Sequence, residues 1–355
     1  MTEKYKIAIV GAASLRGKEL NEVLTESSFA SAEFSLMDDE SQQGQLEAVG
    51  DEVTFIQRIE PDAFNNEDFV FFTGSEEATL KHWRRALKAG ASILDLTYAL
   101  ESEPGVLVRA PWVRDALREE QPDGRSEVKV EDPDLSTPAI VPAHPVSVAL
   151  GLLLLRLQEL GEVKSASATV LEPASEYGRA AMDELHQQTV GLLSFQSLPK
   201  QAYDTQVAFN VVPVLGEAAK INLAASEARI RRHYDLLSAG LLPEVAIQLL
   251  HAPVFHGHGI SLAVELNEPL MLEHVEAALG TEHVDVVLGD ADSPNNLSSA
   301  GQGDLMVRVR PHHGEETETN RFWIWASFDN LKFGALNALA CALELRKLRP
   351  LGKVQ

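Results

Sequence analysis

The chain predicts an α/β protein with two successive architectures, a doubly wound parallel sheet and then an α+β domain on a mostly antiparallel sheet. Two observations carry this. Over the first 150 residues, short β-rich runs alternate with helical patterns, as a parallel sheet with crossover helices requires. After about residue 160 the β-rich runs lengthen and helices are only interspersed among them, the texture of an antiparallel sheet.

In order, the first part predicts strands at 6–10, 33–37, 69–73, 92–95 and 139–142. Helices are predicted over 17–24 and 76–88, the second stopping at Ala89-Gly90, where glycine supplies the usual C-terminal break. Residues 119–136 are Glu, Asp, Pro, Gly and Ser with few apolar positions, which predicts a solvated surface excursion. A helix over 147–160 leads into the second part. Strands are predicted there at 164–171, 207–212, 254–258, 261–266, 284–288, 305–310 and 321–328, with helices at 177–193, 227–238 and 270–279. One amphipathic helix, 330–348, closes the chain, and no internal repeat is present.

Length and charge bound the function. A chain of 355 residues, 45% hydrophobic, supports two cores. Its formal charge of −23 repels phosphate backbones and anionic membranes, so neither nucleic acid nor a membrane is an expected partner. The longest apolar run, 146–155, is half the roughly 20 residues a spanning helix needs. The polar start Met1-Thr2-Glu3-Lys4-Tyr5 lacks the regions of a signal peptide, and the single cysteine, Cys341, excludes an intrachain disulfide; the expected location is the cytoplasm.

Gly11 ends the first predicted strand and Gly17 lies where a helix begins, the opening of a Rossmann-type sheet. Such a turn aims N–H groups and a positive helix end at a pyrophosphate. The candidate cofactor contacts are Gly11, Ala12, Ser14, Leu15 and Gly17 in the turn, Thr73 closing the third strand, and Asp38 closing the second. Ser14 occupies the middle glycine position of G-x-x-G-x-x-G, where a Cβ obstructs close approach of a phosphate. Asp38 suits a ribose hydroxyl and repels a 2′-phosphate, which favours NAD over NADP. A strand-turn-helix without ligand and an ordinary acidic loop are the alternatives.

His256-Gly257-His258 places two imidazoles on one face if the segment is a strand, but no third metal ligand accompanies them. A single acid/base histidine, or a structural one at a sheet edge, are the other readings. His144-Pro145 follows the fifth predicted strand, where open sheets place catalytic groups; the hydroxyls near it are Ser147, expected to cap the helix, and Thr97. Cys341 lies in Ala338-Leu339-Ala340-Cys341-Ala342-Leu343, an apolar helix face, and is expected in the core.

From Lys6 to about Leu348 the chain resembles aspartate-semialdehyde dehydrogenases, a family of amino-acid biosynthesis. The resemblance rests on Ile9-Val10-Gly11-Ala12, Ala89-Gly90-Ala91-Ser92-Ile93-Leu94-Asp95, Ala181-Met182-Asp183-Glu184-Leu185, Ala208-Phe209-Asn210-Val211-Val212-Pro213, Pro253-Val254-Phe255-His256-Gly257-His258 and Asp329-Asn330-Leu331-Lys332-Phe333-Gly334-Ala335, in the family's order. It implies a dinucleotide-binding domain at 1–143 and 329–355, an α+β dimerisation and substrate domain at 144–328, a homodimer, NAD or NADP as cofactor with Asn330 near the nicotinamide, and no metal. Mixed dimers with an active paralogue are open on a shared scaffold.

The resemblance also implies where the working residues fall. The family's acid/base histidine matches His258, and Pro145 occupies the position of its nucleophilic cysteine. Glu172 stands for its orienting glutamine, Glu101 for its phosphate-binding arginine and His251 for its substrate-carboxylate arginine, while its Glu/Lys pair falls near Ser226 and Arg229. Proline carries no side-chain nucleophile, and both anion clamps are gone. The pattern is similar to the catalytically degenerate paralogues called Usg proteins. The leading expectation is a binding, scaffolding or regulatory protein; the alternative is an NAD(P)-dependent oxidoreductase that uses His258 without a covalent intermediate.

Overall fold

A computed structural model describes residues 4–39, 44–50, 52–119, 132–314 and 317–350. The chain divides into two compact units: Met1–Trp112, Ser126–Ala143 and Gly334–Gln355 form unit 1, and Val113–Arg125 with His144–Phe333 form unit 2. Most of the predicted surface excursion, 120–131, lies outside the described residues.

In unit 1 the chain runs β1 (Lys6–Val10), α1 (Leu15–Thr25), β2 (Glu33–Asp38), the hairpin β3 (Leu46–Val49) and β4 (Glu52–Phe55), β5 (Gln57–Arg58), β6 (Phe69–Phe72), α2 (Glu76–Lys88), β7 (Ser92–Asp95) and β8 (Leu107–Arg109). Helix α3 (Pro111–Glu119) crosses the unit boundary, and β9 (Ile140–Pro142) completes a seven-stranded parallel sheet in the order β5-β2-β1-β6-β7-β9-β8.

The strands are apolar on both sides because both faces are covered. Ile7, Ile9, Phe69, Phe71, Leu94 and Ile140 point into one core, while Ala8, Val10, Val70, Phe72, Ile93 and Val141 point into the other. The C-terminal helix, Asn330–Arg346, contributes Ala335, Ala338, Cys341, Ala342 and Leu345 to the first core. Cys341 is fully buried, and burial pushes its thiol far above the ordinary range. The strand order reverses between β1 and β6, the point where open sheets of this kind bind ligands.

Unit 2 contains α4 (Pro145–Leu160), β10 (Val163–Glu172), a 3₁₀ turn (Ala174–Tyr177), α5 (Arg179–Leu193), α6 (Leu223–Ser238), β11 (Val245–His251), β12 (His258–Leu270), α7 (Leu272–Leu279), β13 (Val284–Val286), β14 (Leu305–Pro311) and β15 (Thr319–Phe328). The C-terminal helix is α8. The six-stranded sheet has the order β11-β10-β12-β15-β14-β13; its three central pairs are antiparallel and its two outer pairs, β10 with β11 and β13 with β14, are parallel. Among the described residues, no helix is long and apolar enough to cross a membrane.

Three expectations are corrected here. Residues 207–212 form a loop, with only Val212 bridging to His251, because Phe209 adopts a left-handed backbone (φ 58°) that no strand sustains. Residues 254–257 are not a strand either: Gly257 has φ +86° and packs against Asn296, and β12 starts only at His258. His256 and His258 are therefore not two residues of one pleated face, and the metal-pair geometry is lost. The parallel strand beside β10 is instead β11, whose alternate residues Val245, Ile247, Leu249 and His251 are buried.

Candidate functional site

Unit 1 carries the nucleotide turn. Gly11 leaves β1 at φ +87°, and a Cβ there would stand 2.2 Å from the amide nitrogen of Gly74, so the residue is held to glycine by both conformation and space. A Cβ on Gly17 would meet the Gly11 carbonyl oxygen at 2.4 Å, which fixes the close approach of α1 to the strand end.

Ser14 sits between them as the N-cap of α1. Its hydroxyl oxygen accepts from the Gly17 amide at 2.9 Å and its hydroxyl donates to the Thr73 carbonyl at 2.9 Å. Thr73, buried, donates to the carbonyl oxygens of Val10 and Gly11. The Gly11 and Ala12 amides donate to the Met37 carbonyl, the Ala13 amide donates to Asp38 Oδ2 at 2.9 Å, and Ser14 donates to the Gly11 carbonyl. Leu15 opens the helix, half-buried. Gly11, Ala12, Ser14, Gly17, Asp38 and Thr73 thus come together, but largely on each other's polar atoms.

Elsewhere in unit 1, Glu101 lies in the loop after β7, its amide donating to the Tyr98 carbonyl. Asp95 anchors that loop, accepting from the amides of Thr97 and Leu100 and from the Thr97 hydroxyl; burial raises its carboxyl above the usual range, against those bonds. Thr97 is occupied with Asp95 and Thr79.

Unit 2 holds a buried polar cluster. His144 is the N-cap of α4, its Nδ1 accepting from the Val146 amide at 3.3 Å, and Pro145 is the first helical residue, a position that tolerates its missing N–H. This corrects the expected role of Ser147: its hydroxyl donates to the Ile230 carbonyl at 2.8 Å and ties α4 to α6. With Nδ1 accepting, the His144 proton resides on Nε2, which faces Glu176 Oε1 at 3.7 Å. The His144 amide donates to His233 Nδ1 at 2.9 Å, and its ring meets that of His258 edge-on at 5.9 Å.

Asn330 ties the cluster together. Its Oδ1 accepts from the Ser175 hydroxyl and the Gly257 amide, and its Nδ2 donates to Glu176 Oε2 at 3.2 Å. His258 is fully buried, stacked on Phe328 at 5.3 Å, and neither ring nitrogen has a hydrogen-bond partner. Burial pushes it down to about 4 against the opposing pull of Glu176 and Asp329, and pushes His144 lower still.

A second group continues from it along 172–177. Glu172 ends β10 beside His251, its partner in the parallel pair with β11. Tyr177 donates to Glu172 Oε2 at 2.5 Å and lies 3.0 Å from the Ser226 hydroxyl. Burial, then Glu172, drives the Tyr177 phenol well above its ordinary range. The ring of Tyr203 lies against His251 with centroids 4.7 Å apart. Arg229, half-buried on α6, makes itself felt at His144 as a repelling charge.

Pro145, Glu172, His251, Ser226, His258 and Asn330 therefore share unit 2, while Glu101 belongs to unit 1. The sequence did not single out His233, Glu176, Tyr177 or Tyr203. The signal available for two of them was Glu176-Tyr177 directly after the Glu172-Pro173 stop of a strand, where polar residues at a strand end are brought into a site. Chemically the cluster offers proton donors and acceptors but no activated nucleophile: Ser147 and Ser175 are spent on Ile230 and Asn330, and the sole cysteine lies in the core of unit 1. Among the described residues no three His, Cys, Asp or Glu side chains form a metal-holding group.

Comparison with known proteins agrees with this architecture. The family model described as semialdehyde dehydrogenase, NAD binding domain, matches residues 6–125, and the one described as semialdehyde dehydrogenase, dimerisation domain, matches residues 154–333. A USG-1 protein homolog of Azotobacter vinelandii is 30% identical, covering 98% of this chain and 99% of its own length. A USG-1 protein homolog of Pseudomonas aeruginosa is 28% identical, covering 96% and 97%. The solved structure of a probable aspartate-semialdehyde dehydrogenase from Pseudomonas aeruginosa superposes with a TM-score of 0.81 at 25% identity, over 98% of this chain and 100% of that one. With its nucleotide-type parallel sheet, its mixed second sheet and matches to both domains, the chain belongs to the semialdehyde dehydrogenase family.

Proposed function

We propose that this protein is a semialdehyde dehydrogenase relative that no longer performs phosphorylating aldehyde oxidation and works as a homodimeric binding, scaffolding or regulatory protein. The observation that carries this is Pro145 at the first position of α4, where the resemblance places the family's cysteine. Thiohemiacetal formation needs a thiolate, and neither Ser147 nor Ser175 has a base to activate it. Glu172 and His251 take the places of an orienting amide and a cationic clamp, and Glu101 that of a second clamp, so a dicarboxylate-type substrate and phosphate meet negative charge instead of arginine. The domain description supports a homodimer, and a mixed dimer with an active paralogue would use the same surface.

The purified protein should not oxidise aspartate semialdehyde in the presence of phosphate and NAD or NADP; turnover at ordinary enzyme rates would sink the reading. Pro145→Cys alone should stay inactive, because the clamps are missing too, and a spectrophotometric assay of that single variant checks it.

A second reading is supported by His258. A buried neutral imidazole with both ring nitrogens unpartnered is a competent acid/base group, and the turn around Gly11 belongs to an NAD-binding domain. On this reading the chain transfers hydride directly, with NAD preferred over NADP because Asp38 closes β2. Calorimetry finding no NAD binding at millimolar concentration removes it.

A further inference from the structure

The group around His251 carries more unmet hydrogen-bonding capacity than packing alone explains. His251 and Tyr203 are both fully buried, their rings touch, and three polar atoms on them have no partner: Nδ1 and Nε2 of His251 and the Tyr203 hydroxyl. Each such orphan costs about 1–3 kcal/mol in an empty protein. The surroundings are not short of alternatives that evolution could have used, since Val207, Ala208 and Val212 form an apolar core around Tyr203. Unmet groups clustered on two neighbouring side chains point to an occupant.

The charge around them selects its class. Glu172 neighbours His251 across the strand pair, and Glu184, which accepts the Tyr203 amide at 3.2 Å, lies on the other side. Both carboxylates act on the Tyr203 phenol, raising it above its ordinary range together with burial. Burial holds His251 down to about 4, so it is a neutral ring with one donor and one acceptor. An anion placed here would face two carboxylates and no cation of its own pair. An ammonium group fits: its N–H donors find the acceptor nitrogen of His251 and the hydroxyl oxygen of Tyr203 beside the negative charge of Glu172. The remaining donors, the His251 N–H and the Tyr203 O–H, then require an uncharged acceptor on the same molecule.

We propose that the His251, Tyr203 and Glu172 cluster binds a small amino alcohol, taking its ammonium group beside Glu172 and its hydroxyl on the imidazole and phenol. The inference rests on reading unit 2 as a binding scaffold, and deepens that reading by naming a ligand class opposite in charge to a dicarboxylate semialdehyde.

The test is calorimetry on the full chain with ethanolamine, acetate and ethylene glycol as probes. Ethanolamine binds saturably, ethylene glycol binds more weakly, and acetate does not bind. Glu172→Gln weakens ethanolamine by about tenfold, the scale of a lost charge-assisted bond. Tyr203→Phe, which keeps the ring, weakens it severalfold while raising the unfolding midpoint of the ligand-free protein, because the orphan hydroxyl is gone; a merely structural tyrosine would not move the two readouts in opposite directions. The proposal is overturned if acetate binds as well as ethanolamine, if ethanolamine does not bind, if Tyr203→Phe leaves its affinity unchanged, or if a crystal soaked in ethanolamine holds only ordered water at His251. Turnover of aspartate semialdehyde by a protein that still binds ethanolamine would refute the non-catalytic reading and leave this site standing.

Discussion

The nucleotide turn of unit 1 and the histidine cluster of unit 2 treat polar atoms in opposite ways. In the turn, the amides of Gly11, Ala12, Ala13, Ser14 and Gly17 all donate to groups of the protein itself, and Asp38, Ser14 and Thr73 serve those bonds. In the cluster, His258, His251 and Tyr203 are buried with ring nitrogens and a hydroxyl left unmet. A self-satisfied turn is stable without a ligand, whereas an unsatisfied interior is held in place by the packing around it and gains when something binds. The fold's inherited cofactor entrance has become the more purely structural of the two, and the chemical interest has moved to unit 2.

The sharpest way to break this contrast is at Gly11. Gly11→Ala forces a Cβ into the Gly74 amide at 2.2 Å and a side chain onto a left-handed backbone, which should destabilise unit 1 by roughly 4 kcal/mol. Urea unfolding measures it, and a loss below about 1 kcal/mol would mean that the turn is looser than its geometry.

Acid probes the other side. His258 is depressed to about 4 in the folded protein against about 6.5 unfolded, so the unfolded chain binds the extra proton. The stability tied to its neutral form is complete above about pH 6.5 and is lost as pH falls from there toward 4, by a few kcal/mol at most. His258→Phe, which keeps the stack on Phe328, should flatten that part of a stability-against-pH curve. An unchanged slope would show that His258 is not buried neutral in solution.

The smallest effect is expected at Ser14. Ser14→Gly removes a helix cap at a cost of a few tenths of a kcal/mol, yet releases the Gly17 amide for a phosphate oxygen. NAD affinity should rise severalfold by calorimetry. If it falls instead, the serine hydroxyl is a nucleotide ligand and the turn is not self-satisfied.

Much of the fold was legible because long strands with buried neighbours carry a period that survives any tertiary context. β10, β14 and β15 alternate along most of their length, and β1 and β6 read as apolar runs because both faces are covered. β5 and β8 have two and three residues, too few to show a period, and were missed. β11 does alternate, but the adjacent Pro253 run attracted the strand assignment that belonged to it. The site was legible only where the resemblance supplied positions. Tyr177, Tyr203, Ser226 and His251 come from a turn, a loop, a helix and a strand, and no local pattern announces that these four meet. His256 was paired with His258 because a regular pleat was assumed, and the left-handed Gly257 between them removes it.

The buried Cys341 gives the protein a built-in reporter. It is the only cysteine in the chain and sits sealed between α8 and the parallel sheet, so alkylating reagents reach it only when that core opens. The rate at which a maleimide labels the native protein therefore reads the opening of unit 1 alone, and comparing that rate with and without NAD or ethanolamine tells which unit each compound stabilises.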